Sequence, residues 1–235
     1  MKKLKELIKR IFGKNFIHKV ESYVFSGDLD KLAQIYNTDK FGRHMYTPIY
    51  TLYFRKIRRQ KLKILEIGVG GYDNPTAGGA SLKMWKRYFT KSNITAIDIY
   101  DKKKLEENRV KIFRGSQDDY NFLMDVNNTQ GPFDIIIDDG SHINNHVINS
   151  FNYLFPILKK GGIYVVEDTE TSYQEDMGGN SKQINNVDTT MNYFKNLVDA
   201  VNHKEFDNRI FKAVVDIEQV KSIHFYHNLI FIFKA

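Results

Sequence analysis

The order of apolar segments beyond residue 60 constrains the fold more than any other feature of this sequence. Short β-branched runs alternate there with amphipathic helical patterns, which is typical of a parallel sheet covered by helices on both faces. We predict seven strands, at Lys63–Ile67, Ile94–Ile99, Val110–Phe113, Phe133–Ile137, Gly162–Val166, Ser222–Tyr226 and Leu229–Phe233. Because only His227 and Asn228 separate the last two, these should form an antiparallel hairpin at the sheet edge. The predicted class is an α/β, Rossmann-like fold with a mostly parallel sheet.

The segments between the strands predict helices and one long loop. Leu82, Trp85 and Phe89 share one helical face, after a Ser81 that we interpret as the helix cap. Residues 169–190 form a polar stretch with two adjacent glycines and several asparagines. A loop of that length in a compact domain is usually a lid or a binding loop. We predict a substrate lid over 169–190.

The length of the chain and the distribution of its charges limit the domain organisation that we predict. The chain has 235 residues, of which 42% are hydrophobic, enough for one domain with appendages. We place that domain at residues 31–235 and a basic, amphipathic helical extension at residues 1–30. This extension fits either a helix that contacts a membrane surface or a partner, or a solvated helix packed on its own domain or on another subunit. A homo-oligomer is compatible with the second interpretation.

The amino-acid composition limits the partners and metal ligands that we expect, and also the cellular compartment. The formal charge of +7 suits an acidic partner such as a nucleotide, a phosphorylated glycan or an anionic membrane face. The chain has no cysteine, so any metal site would use oxygen and imidazole ligands. No apolar run has the length of a membrane span or the flanks of a signal peptide, so we expect a cytoplasmic protein.

A glycine-rich segment follows the first strand and predicts a cofactor site. Glycines at 68, 70 and 71 let the backbone turn tightly and approach a ligand without Cβ obstruction. The dinucleotide pattern fails, because Asp73 stands where its third glycine belongs. Glu66 precedes the first glycine by two positions, and its carboxylate suits the cationic amino-acid end of S-adenosylmethionine better than a pyrophosphate.

The ends of the next two strands offer contacts for the rest of that cofactor. Asp98 closes the second strand, where a carboxylate can accept both hydroxyls of an adenosine ribose. Gly115, Ser116 and Gln117 follow the third strand, where polar side chains could hold an adenine. The alternative for these three is an ordinary turn that leads into a helix cap.

Carboxylates and a histidine follow the fourth and fifth strands. Asp138, Asp139 and His142 come after one, and Glu167 and Asp168 after the other. So many carboxylates in one crevice are tolerable if a divalent cation neutralises them. We predict Asp139, Glu167 and Asp168 as ligands of Mg²⁺, with Mn²⁺ or Ca²⁺ as possible substitutes, and His142 as the general base. The alternative for His142 is a structural hydrogen bond.

Several motifs, in order from about residue 30 to the end, carry a resemblance to a known family. They include NTDK at 37–40, LEIGVGGYDNP at 65–75, GPFDIIIDDGSH at 131–142 and GGIYVVED at 161–168. The sequence resembles the metal-dependent sugar O-methyltransferases of macrolide biosynthesis, of the mycinamicin and demethylmacrocin type. The family's glycan enzymes carry a larger N-terminal domain, and we expect the basic helix to take its place here. Ser116 stands where the family usually has Asp.

The resemblance implies roles for individual residues. Asp139, Glu167 and Asp168 would bind Mg²⁺, and Asp139 and His142 would act in catalysis. The segment around Thr38 and Lys40 would fold over the methionine end of the cofactor. The other implied cofactor residues are Glu66, Gly68, Gly70, Gly71, Tyr72, Ser81, Asp98, Gly115, Ser116, Gln117 and Asp139.

The sequence therefore predicts an enzyme that methylates one sugar hydroxyl from S-adenosylmethionine with the help of Mg²⁺. The sugar could be carried on a nucleotide or a glycan, in polysaccharide or natural-product biosynthesis. One rival is the same chemistry on a non-sugar diol such as a catechol, and another is a nucleotide-binding module without turnover. A nucleic-acid methyltransferase ranks below these, because no interleaved basic and aromatic patch accompanies the crevice.

Overall fold

The structure is a computed structural model that describes residue 13, residues 16–205 and residues 219–235. The chain divides into two compact units, residues 1–61 with 79–92 and residues 62–78 with 93–235. Residues 1–12 and 14–15 of the predicted basic extension lie outside the described residues, whereas residues 16–24 are helical. The predicted domain boundary at residue 30 stays a prediction.

The first unit is helical and has an aromatic core. After the helical residues 16–24 come α1 (Leu29–Tyr36), α2 (Tyr46–Phe54) and α3 (Ala80–Tyr88). Trp85 of α3 packs edge-on against Tyr50 of α2, with ring centroids 5.0 Å apart. Aromatic pairs in this geometry stabilise a core beyond the area that they bury.

One sequence prediction in this unit is wrong. Ser81 does not cap α3, because the helix begins at Ala80 and its N-cap is Gly79, which has a φ of +69°. Glycine adopts this left-handed conformation without a Cβ penalty, so the chain enters the helix two residues earlier than a Ser81 cap would place it. Ser81 is the second residue of the helix and is 8% exposed.

The second unit contains a seven-stranded sheet. Its strands are β1 (Lys63–Ile67), β2 (Asn93–Asp98), β3 (Val110–Arg114), β4 (Ile135–Asp138), β5 (Ile163–Glu167), β6 (Val220–Tyr226) and β7 (Leu229–Lys234). The order is β3-β2-β1-β4-β5-β7-β6. The first five strands pair in parallel, and the terminal hairpin is antiparallel at the edge. The predicted fold class and hairpin are confirmed, with strand ends displaced by one or two residues.

Helices of the second unit cover one face of its sheet. They are α4 (Tyr120–Gln130), α5 (Asn144–Leu154) and α6 (Thr190–Leu197). The core between them and the sheet includes Ile67, Ile136, Phe151, Val166 and Phe194, all nearly or fully buried. Because side chains alternate along a strand, Glu66 and Glu167 lie on the opposite face from Ile67 and Val166. In the part of the chain that the structure describes, no helix has both the length and the apolar character needed to cross a membrane.

Candidate active site

The loop after β1 lies directly against the loop after β4, and Gly68 makes this possible. A Cβ placed on Gly68 would be 2.0 Å from the carbonyl oxygen of Asp139, and the φ of Gly68 is +94°. Both the space and the backbone conformation therefore require glycine. A predicted cofactor residue and a predicted metal ligand consequently stand in adjacent loops.

Among the remaining predicted residues of the β1 loop, Gly70 and Tyr72 are exposed, whereas Gly71 packs against the backbone of Ala77. Gly70, Gly71 and Tyr72 all have positive φ, of 75°, 78° and 47°. No described atom lies within 4 Å of a Cβ placed on Gly70, and Tyr72 is 83% exposed. A positive φ at a residue other than glycine costs energy and is enriched at ligand sites. The loop thus leaves room for a ligand close to its backbone, which is the fit that a cofactor cradle requires.

Asp98 connects this loop to the end of β2. Its Oδ2 accepts a hydrogen bond from the Val69 N–H at 3.0 Å, and its Oδ1 accepts one from the Tyr100 N–H at 2.9 Å. Each carboxylate oxygen can accept a further hydrogen bond, so the predicted contact with ribose hydroxyls remains open to Asp98. Glu66 is fully buried in the middle of the sheet, next to Ala96 of β2. The cofactor roles of Glu66 and Asp98 stay predictions.

The residues that follow β3 are used in two different ways. Ser116 Oγ accepts a hydrogen bond from the Asp118 N–H at 3.2 Å, which is the ordinary turn that the sequence also allowed. Gln117 is 6% exposed and points beneath the end of β4. Its Nε2 donates to Asp138 Oδ1 at 3.1 Å, and its Oε1 accepts from the Ser141 N–H at 2.7 Å. The Gln117 side chain is therefore bonded within the protein at both ends, and its predicted contact with the cofactor has no support from this geometry.

Three predicted site residues meet at the ends of β4 and β5. One ligand atom from each of Asp139, His142 and Asp168 lies within 4.8 Å of the other two. His142 Nε2 is 3.6 Å from Asp168 Oδ2 and 4.0 Å from Asp139 Oδ1. Their side chains are 20–25% exposed, so the group is largely buried but can still be reached by solvent. The two carboxylates are hard oxygen donors of the kind that fits Mg²⁺ or Mn²⁺, and the imidazole lies beside them.

Two members of this group have a strained backbone. His142 has a φ of +58° and Asp168 a φ of +53°. For a residue with a Cβ, the left-handed conformation costs about 1–2 kcal/mol, which the surrounding structure must offset. Strain at two of three clustered residues supports a functional role for the cluster.

Glu167, the third predicted metal ligand, is placed differently. It ends β5, is 3% exposed, and pairs in register with Leu229 of β7. Among the described residues, the group of ligand atoms within 4.8 Å does not include Glu167. Its metal role stays a prediction.

Three predicted cofactor residues lie outside the sheet and belong to the first unit. They are Thr38, Lys40 and Ser81. Thr38 Oγ1 accepts a hydrogen bond from the Lys40 N–H at 3.4 Å, and both residues are buried. Their roles in binding the cofactor stay predictions.

Asp138 belongs to the carboxylates that the sequence groups after β4, although the sequence assigns it no role of its own. Its carboxylate accepts hydrogen bonds from Ser150 Oγ at 2.7 Å and from Gln117, and Tyr164 OH lies 3.4 Å away. Burial raises the pKa of Asp138 to about 6, although Ser150, His142 and Gln117 favour the ionised form. The alternation along β4 could have identified it, because Asp138 shares a face with Ile136, whereas Asp139 follows the strand.

The predicted lid, residues 169–190, is anchored along its first half and at its end. Asn144, the first residue of α5, donates from Nδ2 to the carbonyl oxygens of Thr171 at 3.0 Å and Met177 at 2.8 Å. Its Oδ1 accepts from the Thr190 N–H at 2.7 Å. Asn144 is 1% exposed, whereas Ile184 and Val187 are 59% and 65% exposed. Residues 169–178 are therefore fixed, and only the part around 181–188 has few contacts that could hold it.

Comparisons with known proteins agree with this geometry. No protein-family model matches the chain. The chain is 43% identical over 211 residues to the mycinamicin VI 2''-O-methyltransferase of Micromonospora griseorubida, covering 88% of this chain and 53% of that protein. Demethylmacrocin O-methyltransferase of Streptomyces fradiae gives the same identity and coverage. The chain thus spans about half the length of the curated relatives that it matches.

A solved structure shares both fold and sequence with the chain. It is the MycE methyltransferase from the mycinamycin biosynthetic pathway, in complex with Mg and SAH, with a TM-score of 0.84 and 42% identity. The match covers 88% of this chain and 53% of that one.

Proposed function

We propose a function that proceeds from family membership: the chain belongs to the family of metal-dependent sugar O-methyltransferases of the mycinamicin and demethylmacrocin type. The proposed activity is methyl transfer from S-adenosylmethionine to one hydroxyl of a sugar, assisted by Mg²⁺ or Mn²⁺. The observation that carries this proposal is the meeting of Asp139, His142 and Asp168 beside the glycine loop after β1.

The proposed binding residues follow from the two loops. Asp139 and Asp168, with Glu167 as the predicted third ligand, would hold the cation, and their hard oxygen donors suit it. The β1 loop from Gly68 to Tyr72 would hold the methionine end of the cofactor, and Asp98 its ribose. When bound, Mg²⁺ supplies positive charge that lowers the pKa of a nearby hydroxyl, and S-adenosylmethionine supplies the methyl group.

Methyl transfer requires a bond exchange and the removal of one proton. The sulfonium S–C bond breaks as the O–C bond forms, and the acceptor oxygen loses its proton. We assign that proton to His142, whose Nε2 faces the carboxylates of Asp168 and Asp139. These carboxylates stabilise the imidazolium ion that results, and their fixed loops orient the ring.

The acceptor and the compartment are finer parts of the proposal. A sugar hydroxyl is the favoured acceptor because the matched relatives modify macrolides. We further propose a role in polysaccharide or natural-product biosynthesis, and a cytoplasmic location.

The N-terminal segment offers a surface for contact. Phe16, Val20 and Val24 are spaced one helical turn apart and are 45%, 44% and 70% exposed. Apolar side chains in such a row favour contact with a second subunit or with a membrane face. Gel filtration would detect contact with a second subunit, and sedimentation with anionic vesicles would detect contact with a membrane. Each is measured for the wild-type chain and for the double variant Val20→Ser with Val24→Ser.

A methyl-transfer assay with labelled S-adenosylmethionine tests the proposed function. The acceptors should include free sugars, nucleotide sugars, macrolide glycosides and a catechol, each at several concentrations. We expect transfer to at least one sugar and a loss of at least about 100-fold for His142→Ala, the usual scale for a missing general base. His227→Ala is the matched control, because His227 is exposed in the turn between β6 and β7.

The results separate the competing functions. Transfer to the catechol but to none of the sugars would assign the enzyme to the diol class. Calorimetry that detects no binding of S-adenosylmethionine would contradict the proposal altogether. Turnover of His142→Ala equal to that of His227→Ala would remove His142 from the mechanism.

A further inference from the structure

A buried polar network lies beneath the β4 loop and reaches the loop backbone at two points, where Asp138 accepts from the Gly140 N–H and Gln117 accepts from the Ser141 N–H. Gln117 Nε2 donates to Asp138 Oδ1 at 3.1 Å and contacts Ser150 Oγ at 3.4 Å. Gln117 Oε1 accepts from the Ser141 N–H at 2.7 Å. One amide thus connects the last residue of β4 to the middle of the loop that carries Asp139 and His142.

The packing around Gln117 shows how closely it holds that loop. A Cβ placed on Gly140 would be 2.1 Å from Gln117 Oε1 and 2.8 Å from Ile67 Cγ2. The loop can therefore pass over Gln117 only because residue 140 is glycine. On the other side of the loop, Gly68 packs so closely against the carbonyl group of Asp139 that no Cβ would fit between them. Residues 139–141 are held between these two contacts.

We propose that Gln117 is a positioning residue that fixes the loop 139–142 from beneath and so sets the places of Asp139 and His142. The proposal rests on the proposed function, because that function places a cation at these residues. It is a role besides the cofactor contact that the sequence predicts for Gln117, which stays a prediction; both ends of the amide are hydrogen-bonded inside the protein.

The chemistry of the amide explains why glutamine occupies this position. The position requires a donor toward the Asp138 carboxylate and an acceptor for the Ser141 N–H, at a fixed separation. Asparagine has both groups but is one methylene shorter, so it cannot bond at both ends. Methionine matches the length of glutamine but has neither a strong donor nor a strong acceptor.

Two variants and a control test this role. Gln117→Met and Gln117→Asn should each break the link between Asp138 and Ser141. Val126→Ala is the matched control, because Val126 is 2% exposed in the same core and makes no contact that we describe with the loop. A loss of thermal stability common to all three variants is thereby separated from an effect on the loop.

The first measurement is amide hydrogen exchange of the chain without added metal. We expect exchange at Ser141 to rise about tenfold or more in both Gln117 variants, as the loss of one buried hydrogen bond implies, and to stay unchanged in Val126→Ala. The second is titration with Mn²⁺, in which both Gln117 variants should bind about tenfold more weakly than Val126→Ala. Affinity for S-adenosylhomocysteine should change less than about twofold, since both ends of the amide are bonded within the protein.

Each result decides the proposal. Wild-type exchange at Ser141 in both Gln117 variants would overturn it, as would weaker binding of S-adenosylhomocysteine with unchanged Mn²⁺ affinity. Failure of the wild-type chain to bind Mn²⁺ would remove the cation from the proposed function, whereas exchange at Ser141 would still decide whether Gln117 holds the loop.

Discussion

Two segments that connect a strand to a helix in the second unit differ in how they are held. The loop 139–142 after β4 is short, and Gln117 and Gly68 restrain it from two sides. The segment 169–190 after β5 is long, and Asn144 bonds to its residues 171, 177 and 190 while the part at 181–188 is largely exposed. Both segments are polar in sequence, and both follow buried strands.

The difference shows what fixes a polar loop. Polar composition is a similar signal in the two segments, but buried side chains from other elements supply the restraint. A loop that positions a proton acceptor and metal ligands gains from such restraint, because small displacements of reacting groups cost much of the rate. A segment that opens to admit an acceptor molecule needs some part that lacks such restraint.

Gly68→Ala should break the fixed loop and have the largest effect. The added Cβ would meet a backbone carbonyl, and the left-handed φ of this residue adds strain of its own. We expect a loss of at least about 3 kcal/mol in the free energy of unfolding, together with weaker cation binding. Urea denaturation and Mn²⁺ titration measure the two effects.

Gly161→Ala is the matched control for Gly68→Ala. Gly161 has a φ of +73°, but no described atom lies within 4 Å of a Cβ placed there. It should lose only the conformational part, about 1–2 kcal/mol, and keep cation affinity. Equal destabilisation of the two variants would mean that the contact with Asp139 does not restrain the loop.

Asn144→Ala should erase much of the difference between the two segments by releasing the anchored half of the longer one. Two carbonyl groups and one N–H would lose their buried partner, at a cost of about 2–3 kcal/mol. Hydrogen exchange and limited proteolysis across 169–190 should both accelerate. Asn149→Ala, on the same helix, removes only a bond to Asp118 and should leave this segment protected. Unchanged exchange in Asn144→Ala would refute the anchoring.

Ile184→Ser with Val187→Ser should sharpen the comparison with the smallest change in stability. Both side chains are exposed, so the free energy of unfolding should change by less than about 0.5 kcal/mol. If this part contacts the acceptor, KM for the acceptor should rise while KM for S-adenosylmethionine stays the same. Steady-state kinetics on both substrates distinguish this from an unchanged KM for each, which would exclude the lid role.

The sheet could be predicted well from the sequence, for a physical reason. Buried parallel strands read as continuous apolar runs, and the two-residue turn at His227 and Asn228 permits only an antiparallel hairpin. Helix starts were less predictable, because Gly79 and Ser81 are both acceptable at a cap, and the choice between them depends on the backbone path into α3.

The candidate site was predictable where chemistry is concentrated at strand ends. Asp139, His142 and Asp168 stand directly after β4 and β5, so topology alone brings them together. The sequence did not assign a restraining role to the residues that hold these groups. Asn144 resembles an ordinary polar residue in sequence, and Asp138 stood among the carboxylates without a role of its own. The direction of the Gln117 side chain depends on a glycine at 140, which only the structure reveals.

The dependence of turnover on a divalent cation tests the central claim most directly. Purified chain should be assayed with S-adenosylmethionine and a sugar acceptor, first after treatment with a chelator and then after addition of Mg²⁺. The account predicts that the chelator abolishes methyl transfer and that Mg²⁺ restores it, but not in an Asp168→Asn variant. Methyl transfer that continues unchanged in the presence of the chelator would contradict it.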